Sequence, residues 1–456
     1  MVSSRRDAGL LEWSAVRRRL ALALALATVF GVTAQPARAT SPTIPANRPT
    51  PLAGATNGEV PRSRLINVIP HCVAAREAAP SLMRLFTMAR QAGVPLAAEE
   101  CYRTLANEVK FANITNQPGN NPACVASVGS SPSGKPVGHS MHGWGKAADL
   151  IDFGGSLTFG SAGYAFMKQN AWRVGWNHPA FAEPGGSSCP EPWHWEWVGD
   201  GGNLHLGARR GDAVGLLPSA DDRGFGVVSG LGAVTAHGAF KSRGSAAHVP
   251  LQWVIVGAGA TPNRRGYWLV GADGGIFSFG AAKFHGSLGG KRLNAPINGM
   301  ASSHSGKGYY VVAWDGGIFT FGDAKFHGST GAMHLNKPVV GMTVTRSGRG
   351  YWLVASDGGI FTFGDAKFYG STGDLRLVAP IVGMAPTPSG HGYWLAASDG
   401  GVFTFGDAKF RGSLARVSPV SPTVALVPTK SGANYRLLLA NGTVSGPKDP
   451  LRHAVP

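Results

Sequence analysis

Two short stretches carry the residue types that could do chemistry. From His142 to Asp149 the chain reads HGWGKAAD, and from Glu191 to Trp197 it reads EPWHWEW. His142, Asp149 and His194 together offer two imidazoles and a carboxylate. Three such protein ligands with a fourth position left to water is the arrangement of a catalytic zinc site. Glu191, three residues before His194 and set off by Pro192, is the candidate general base. Arg103, in CYRT, is the candidate for holding a substrate carboxylate or a developing oxyanion by charge-assisted hydrogen bonds. Tyr102 and Ser140 are candidate substrate contacts, and Ser140, two residues before His142, could equally orient the ligands. A single histidine on a loop or in a tryptophan-rich strand is more often structural than ligating; the set as a whole points to metal. His139, His178 and His205 lie in the same region as possible alternative ligands, Glu196 is expected to stand behind the ligands, and Asp152 is expected to pack or face solvent. No HExxH helix is present, which disfavours a thermolysin-like site.

Local patterns say which elements must hold these groups. KAADLIDF and WHWEWV alternate with period two and read as strands. On the first, Ala147, Asp149 and Ile151 face one way and Ala148, Leu150 and Asp152 the other; on the second, His194 and Glu196 share one face and the tryptophans the opposite one. Gly143 and Gly145 argue against a helix, so His142 is expected on a loop running into the first strand. Leu82, Leu85, Phe86 and Ala89 recur at helical spacing within residues 81–92, and RTLANEVKFAN from Arg103 reads as a second helix. The fold class expected for residues 59–208 is an α+β domain with a small antiparallel sheet.

Arg17, Arg18 and Arg19 precede an apolar run from Leu20 to Val32 and an ARA pattern ending at Ala39, which reads as a secretory signal peptide over residues 1–39. Residues 40–58, rich in Pro, Ala, Thr and Asn, read as a flexible spacer. The leader carries six Lys/Arg and two Asp/Glu, so the formal charge falls from +17 for the whole chain to +13 for the mature protein. For an exported or wall-associated protein, anionic wall polymers are better partners for such a charge than nucleic acid, and a monomer is expected. Cys72, Cys101, Cys124 and Cys189 allow three disulfide connectivities, of which Cys72 with Cys101 and Cys124 with Cys189 is preferred.

The second half repeats itself. GYWLVGADGGIFSFG from Gly266 returns with small changes from Gly308, Gly350 and Gly392, a period of 42 residues. Each unit reads as an alternating strand, an Asp-Gly turn (Asp273, Asp315, Asp357, Asp399), a second strand, a short KFxGS strand and a fourth near PIVGM. Four strands at this spacing are the measure of a propeller blade. The segment from Asn434 supplies only the first strands of a unit and the one from Ala213 only its last, so residues 213–456 are expected to form a six-bladed propeller whose final blade is shared between the two ends. An open solenoid is the competing architecture. FGDAKF, with one Asp, is too sparse for calcium.

SMHGWGKAAD followed by EPWHWEW resembles the VanY-type D-alanyl-D-alanine carboxypeptidases, a group of zinc peptidases, over about Leu65 to Gly202. The resemblance implies that His142, Asp149 and His194 bind Zn2+, that Glu191 is the base, and that Arg103 stabilises the transition state. It implies hydrolysis of a peptide bond in peptidoglycan stem peptides, by a carboxypeptidase or by an endopeptidase cutting L-alanyl-D-glutamate or cross-link bonds. Glu108 stands where this family usually has Gln, and Cys101 where it has Gly. The repeats resemble those attached to varied hydrolases in exported actinobacterial proteins, which suggests a module that positions the enzyme or binds wall polymers or glycans. A wholly non-catalytic wall-binding protein is the alternative from a different class.

Overall fold

The computed structural model describes residues 52, 54–115, 128–130, 136–138, 140–152, 155–179, 182–184, 190–198, 213–417, 419 and 421–446. The expected leader, most of the spacer, His139, His205 and the Cys124–Cys189 pair lie outside these. The first domain opens with a hairpin, β1 (Leu65–Ile69) against β2 (Cys72–Ala75), followed by α1 (Ala79–Gln91), β3 (Ala97–Glu100) and α2 (Leu105–Thr115). Cys72 is bonded to Cys101, tying the hairpin to the residue just after β3. Val128–Ser130 (β4) pairs with Pro136–Gly138 (β5).

The central sheet is antiparallel. β6 (Ala147–Asp152) lies between β3 and β9 (His194–Trp197), β8 (Trp176–Asn177) borders β9, and the short β7 (Gly155–Ser156) folds back on the end of β6. Alternation decides the faces as expected: Ala148, Leu150 and Trp195 are buried in the core, while Asp149 and His194 look to the other side. α1 covers the core face with Leu82, Leu85, Phe86 and Ala89, and its Ser81 hydroxyl accepts a 3.0 Å hydrogen bond from the Trp176 indole of β8. Helix α3 (Ala162–Asn170) closes the same core; Asp152 accepts from its Gly163 amide at 2.6 Å, which gives that buried carboxylate a structural task.

Residues 213–446 form six three-stranded antiparallel sheets. The innermost strands are Ala213–Pro218, Ile255–Ala260, Ile297–Ser302, Val339–Val344, Ile381–Pro386 and Thr423–Pro428, each packing on the next and the last on the first. This is a closed β-propeller. One hydrogen bond recurs at every junction: the amide of Ile255, Ile297, Val339, Ile381 or Thr423 donates to the carbonyl of Gly230, Ala272, Trp314, Ser356 or Ser398, and Ala213 to Ala440 closes the circle at 2.9 Å. A Cβ at Gly257 would stand 3.3 Å from the Gly299 Cα, so glycine in this row lets the inner strands crowd the axis. In each Asp-Gly turn the glycine takes positive φ, 77° at Gly274 for example, and the Asp273 carboxylate accepts from Gly275 N at 2.9 Å.

Two expectations are corrected. Among the described residues no blade is shared between the ends: the first sheet runs within Ala213–Gly238 and the sixth within Thr423–Ser445. The KFxGS segments are not strands. Each is instead pinned by a tyrosine of the following blade: Tyr351, for instance, accepts from His327 N at 3.0 Å and donates to Gly328 O at 2.5 Å, and Tyr267, Tyr309, Tyr393 and Tyr435 do the same to the blades before them. At the seam the first blade has Phe225 in the tyrosine's place. There Asp222 substitutes, accepting from Lys430 N at 2.7 Å and, through its carbonyl, from the Arg436 guanidinium at 2.5 Å.

The two domains dock closely. α1 lies across one mouth of the propeller, lining a cavity with the starts of the inner strands. Arg84 donates to Ala213 O at 3.0 Å, Arg90 stacks 4.1 Å over the Trp314 ring, and Ser356 donates to Gln91 O at 3.1 Å. Asn67 of β1 forms a parallel bridge with Trp253, and its amide and side chain both donate to Gln252 O at 2.9 Å. Changing Tyr351 to Phe strips a partly buried amide and carbonyl of their partner, and we expect it to lower stability by about 1 kcal/mol. A denaturation midpoint equal to that of the parent would show that the phenol clasp contributes nothing.

Candidate metal centre

Ser140 starts the approach to the site. Its hydroxyl accepts from His142 N at 3.1 Å and its carbonyl from the Asn57 side chain at 2.8 Å, so it caps a single 3-10 turn, Met141–Trp144. His142 is therefore on a short helical turn rather than the expected open loop. Gly145 ends the turn with φ 66°, and any Cβ there would lie 2.7 Å from Ala75 N. Lys146, buried and paired with Glu77 at 2.5 Å, leads into β6. The register of β6 then sets Asp149 opposite Glu100 on one side and His194 on the other.

These elements bring three donor atoms together. His142 Nε2 is 3.1 Å from Asp149 Oδ1 and 3.2 Å from His194 Nδ1, and His194 Nδ1 is 2.9 Å from the same Asp149 oxygen. Ligands of a tetrahedral zinc, with bonds of about 2.0–2.1 Å, stand roughly 3.3 Å apart. The triangle thus fits a metal ion with little adjustment. The outward nitrogens are also held: His142 Nδ1 lies 2.7 Å from the Cys101 carbonyl and His194 Nε2 3.3 Å from Glu196 Oε1. A fixed outer partner sets the ring orientation and raises the basicity of the inner nitrogen.

The electrostatics favour a cation at the centre. Burial alone would raise the Asp149 pKa, but the charge of His142 and the hydrogen bonds from both imidazoles hold it far below the usual carboxylate range. Burial works against protonation of His194, yet Asp149 and Glu196 raise its pKa to about 10. The field that draws a proton onto this imidazole would draw a divalent cation into the triangle. Glu191 Oε2 stands 4.0 Å from His194 Nδ1, partly open to solvent; burial, reinforced by Asp149, raises its pKa. Its turn is fixed by Glu191 N to Ala182 O and His194 N to Glu191 O, both at 3.0 Å.

The remaining candidates have other partners. The Arg103 guanidinium is buried against Glu100, with Nε to Glu100 Oε2 at 2.8 Å, and Nη2 lies 3.7 Å from Asp149 Oδ2. It borders the site as a fixed positive charge. Tyr102 does not offer its hydroxyl to the site: it donates to Gly58 O at 2.8 Å and accepts from Val60 N at 3.1 Å, strapping the entry chain to the domain. His178 is no ligand. Its Nε2 donates to Glu191 O at 3.0 Å, and Nδ1 lies 3.1 Å from Glu183, so it buttresses the turn that carries Glu191. Sequence reasoning missed Asn57, Glu100 and the Cys101 carbonyl. The disulfide was the one available hint, since it fixes the backbone that orients His142. Glu108 is buried beneath Gly143, where a Cβ would lie 2.0 Å from Asn57 Oδ1 and 2.9 Å from Glu108 Oε1; burial raises the Glu108 pKa.

Among curated proteins, none matches this sequence. Among solved structures, the repeat half is similar to the Myceliophteria thermophila Cps50 (Swd1) β-propeller domain, at 13% identity and a TM-score of 0.37, covering 51% of this chain and 81% of that one. Residues 72–200 match the family model described as VanY, D-alanyl-D-alanine carboxypeptidase, and this stretch, which contains His142, Asp149, Glu191 and His194, is a VanY-family domain.

Proposed function

We propose that this protein is an exported, zinc-dependent D-alanyl-D-alanine carboxypeptidase acting on peptidoglycan stem peptides. The VanY-family domain supports the coarser part, a peptidase acting on peptidoglycan. The observation that carries the chemistry is the triangle of His142 Nε2, Asp149 Oδ1 and His194 Nδ1, with a free carboxylate of Glu191 4.0 Å from its edge. Two nitrogens and one oxygen suit zinc and leave room for water or substrate. When bound, the metal would supply Lewis acidity, polarising the scissile carbonyl and lowering the pKa of water.

The chain's own residues do the rest. Glu191 takes the proton of the attacking water on Oε2 and returns it to the leaving amine, a shuttle that a partly buried carboxylate with a raised pKa performs better than a solvated one. Arg103 places a fixed positive charge beside Asp149, where it favours a substrate carboxylate or developing oxyanion. Ser140 acts by positioning His142 rather than by touching substrate. The leader over residues 1–39 supports export, and the basic mature chain suits an anionic wall.

The mature protein incubated with zinc and a stem pentapeptide ending in D-alanyl-D-alanine should release one alanine, read by mass spectrometry. Internal cleavage would replace the carboxypeptidase reading with an endopeptidase. E191Q should lower turnover by about 10²–10⁴-fold while binding an equal amount of zinc; equal activity would remove Glu191 as the base. H194A should retain less than one zinc per chain under dialysis and lose activity, whereas the parent should lose activity to a chelator and regain it with zinc. Full zinc retention by H194A would mean that the ligand triangle is misassigned.

A further inference from the structure

The fold has no use for four of its largest exposed side chains. Phe284, Phe326, Phe368 and Phe410, one per blade at the 42-residue period, are 60%, 59%, 61% and 59% exposed. The first blade has Ser242 at the same place, with its neighbour Arg243 held by Tyr267 just as His285 is held by Tyr309. A blade therefore closes equally well without the phenylalanine. Yet the backbone around each one is fixed. Trp268 donates to Lys283 O at 2.8 Å, and Tyr309 donates to Gly286 O at 2.6 Å, so Phe284 is held outward between two anchored points; Trp352 and Trp394 repeat the first contact at Lys367 and Lys409.

Charge accompanies each ring. Lys283, Lys325, Lys367 and Lys409 immediately precede the phenylalanines and are exposed. The acidic residue of the segment, Asp323, Asp365 or Asp407, is engaged by Ser305, Ser347 or Ser389 of its own blade, and the second blade has Ala281 instead. Strand direction places the surface. The inner strands begin at the mouth covered by α1, so the third strand of each blade, ending at Gly280, Gly322, Gly364 or Gly406, runs away from it. The phenylalanines follow four residues later, on the part of the rim turned away from the covered mouth.

We propose that these four Phe-Lys pairs form one repeated docking surface for an anionic polysaccharide. Isolated aromatic rings, each beside a cation, do not make the contiguous apolar patch that a protein or lipid partner would fill. They suit a polymer of repeating units: the negative ring face attracts the polarised C–H face of a sugar, and the lysine its acidic substituent. A backbone anchored beside each ring lowers the ordering cost of binding, and four weak contacts on one polymer multiply. The inference does not depend on the hydrolytic reading.

The test uses the mature chain and its F284S/F326S/F368S/F410S variant, serine being what the first blade already carries. Polygalacturonate, neutral dextran and polyglutamate are the probes. The parent should bind polygalacturonate at least about tenfold more tightly than the variant, with dextran and polyglutamate weaker than polygalacturonate and insensitive to the change. Both proteins should share a melting temperature and peptide hydrolysis rate, which separates this surface from the metal centre. A fourfold Lys→Gln variant at residues 283, 325, 367 and 409 should lose polygalacturonate binding to a similar degree; should the serine variant melt early, F326S/F368S with an intermediate loss serves in its place. Equal binding of polygalacturonate by parent and serine variants, or polyglutamate bound as tightly as polygalacturonate, would overturn the proposal.

Discussion

Asp149 stands between two imidazoles because β6 and β9 pair in a register that sets it directly across from His194. A slip of one residue would present Leu150 to the ligands and bury Asp149 among Trp176 and Trp195. That slip is opposed by packing and by contacts at the start of the strand. On the core side Ala148, Leu150 and Trp195 fill the space under α1; at the start of the strand Lys146 is locked to Glu77, and Trp197 N donates to Lys146 O at 2.7 Å. His142 reaches the same point by a separate route, a capped 3-10 turn whose imidazole rests on the Cys101 carbonyl. The Cys72–Cys101 bond thus belongs to the site as much as to the fold, since it restrains the carbonyl that aims a ligand.

α1 joins this arrangement to the propeller. One side of the helix packs on the sheet that carries Asp149 and His194, and the other lies over the propeller mouth. A helix so shared leaves little room for the swivelling usual between domains. The parallel bridge from Asn67 to Trp253 adds a second, backbone-level attachment away from the helix. The His142, Asp149 and His194 cluster is therefore carried in a fixed orientation relative to the rim where the exposed phenylalanines stand.

Much of this was legible in the chain. Period-two alternation in KAADLIDF and WHWEWV identified both strands and the faces of Asp149 and His194, and the Asp-Gly turns marked four of the six blades. Where reading failed, a distant residue overruled a local pattern. KFxGS alternates like a strand, yet a phenol from the next blade takes its amide and carbonyl, leaving the sheet three-stranded. Tyr102 sits beside Arg103 in sequence, but its hydroxyl is drawn off by Gly58 and Val60. Glycines at 143 and 145 argued against helix; Gly145 instead ends the turn and Gly143 makes space for Asn57 and Glu108. None of these partners is adjacent in sequence, so no local pattern could have named them.

Ring closure follows from the same priority of tertiary contacts. Among the described residues no strand from one end is woven into the sheet of the other, so the last and first blades meet through contacts between neighbouring sheets. The junction has the common inner hydrogen bond, Ala213 N to Ala440 O, but lacks the tyrosine clasp, since Phe225 has no hydroxyl. Asp222, Lys430 and Arg436 make up part of that loss on the open side. On the covered side Arg84 of α1 donates to the carbonyl of Ala213, the very residue whose amide closes the ring. Helix α1 of the VanY-family domain thus braces the junction at which the ring closes, which gives a physical reason for the two halves to be docked rather than tethered.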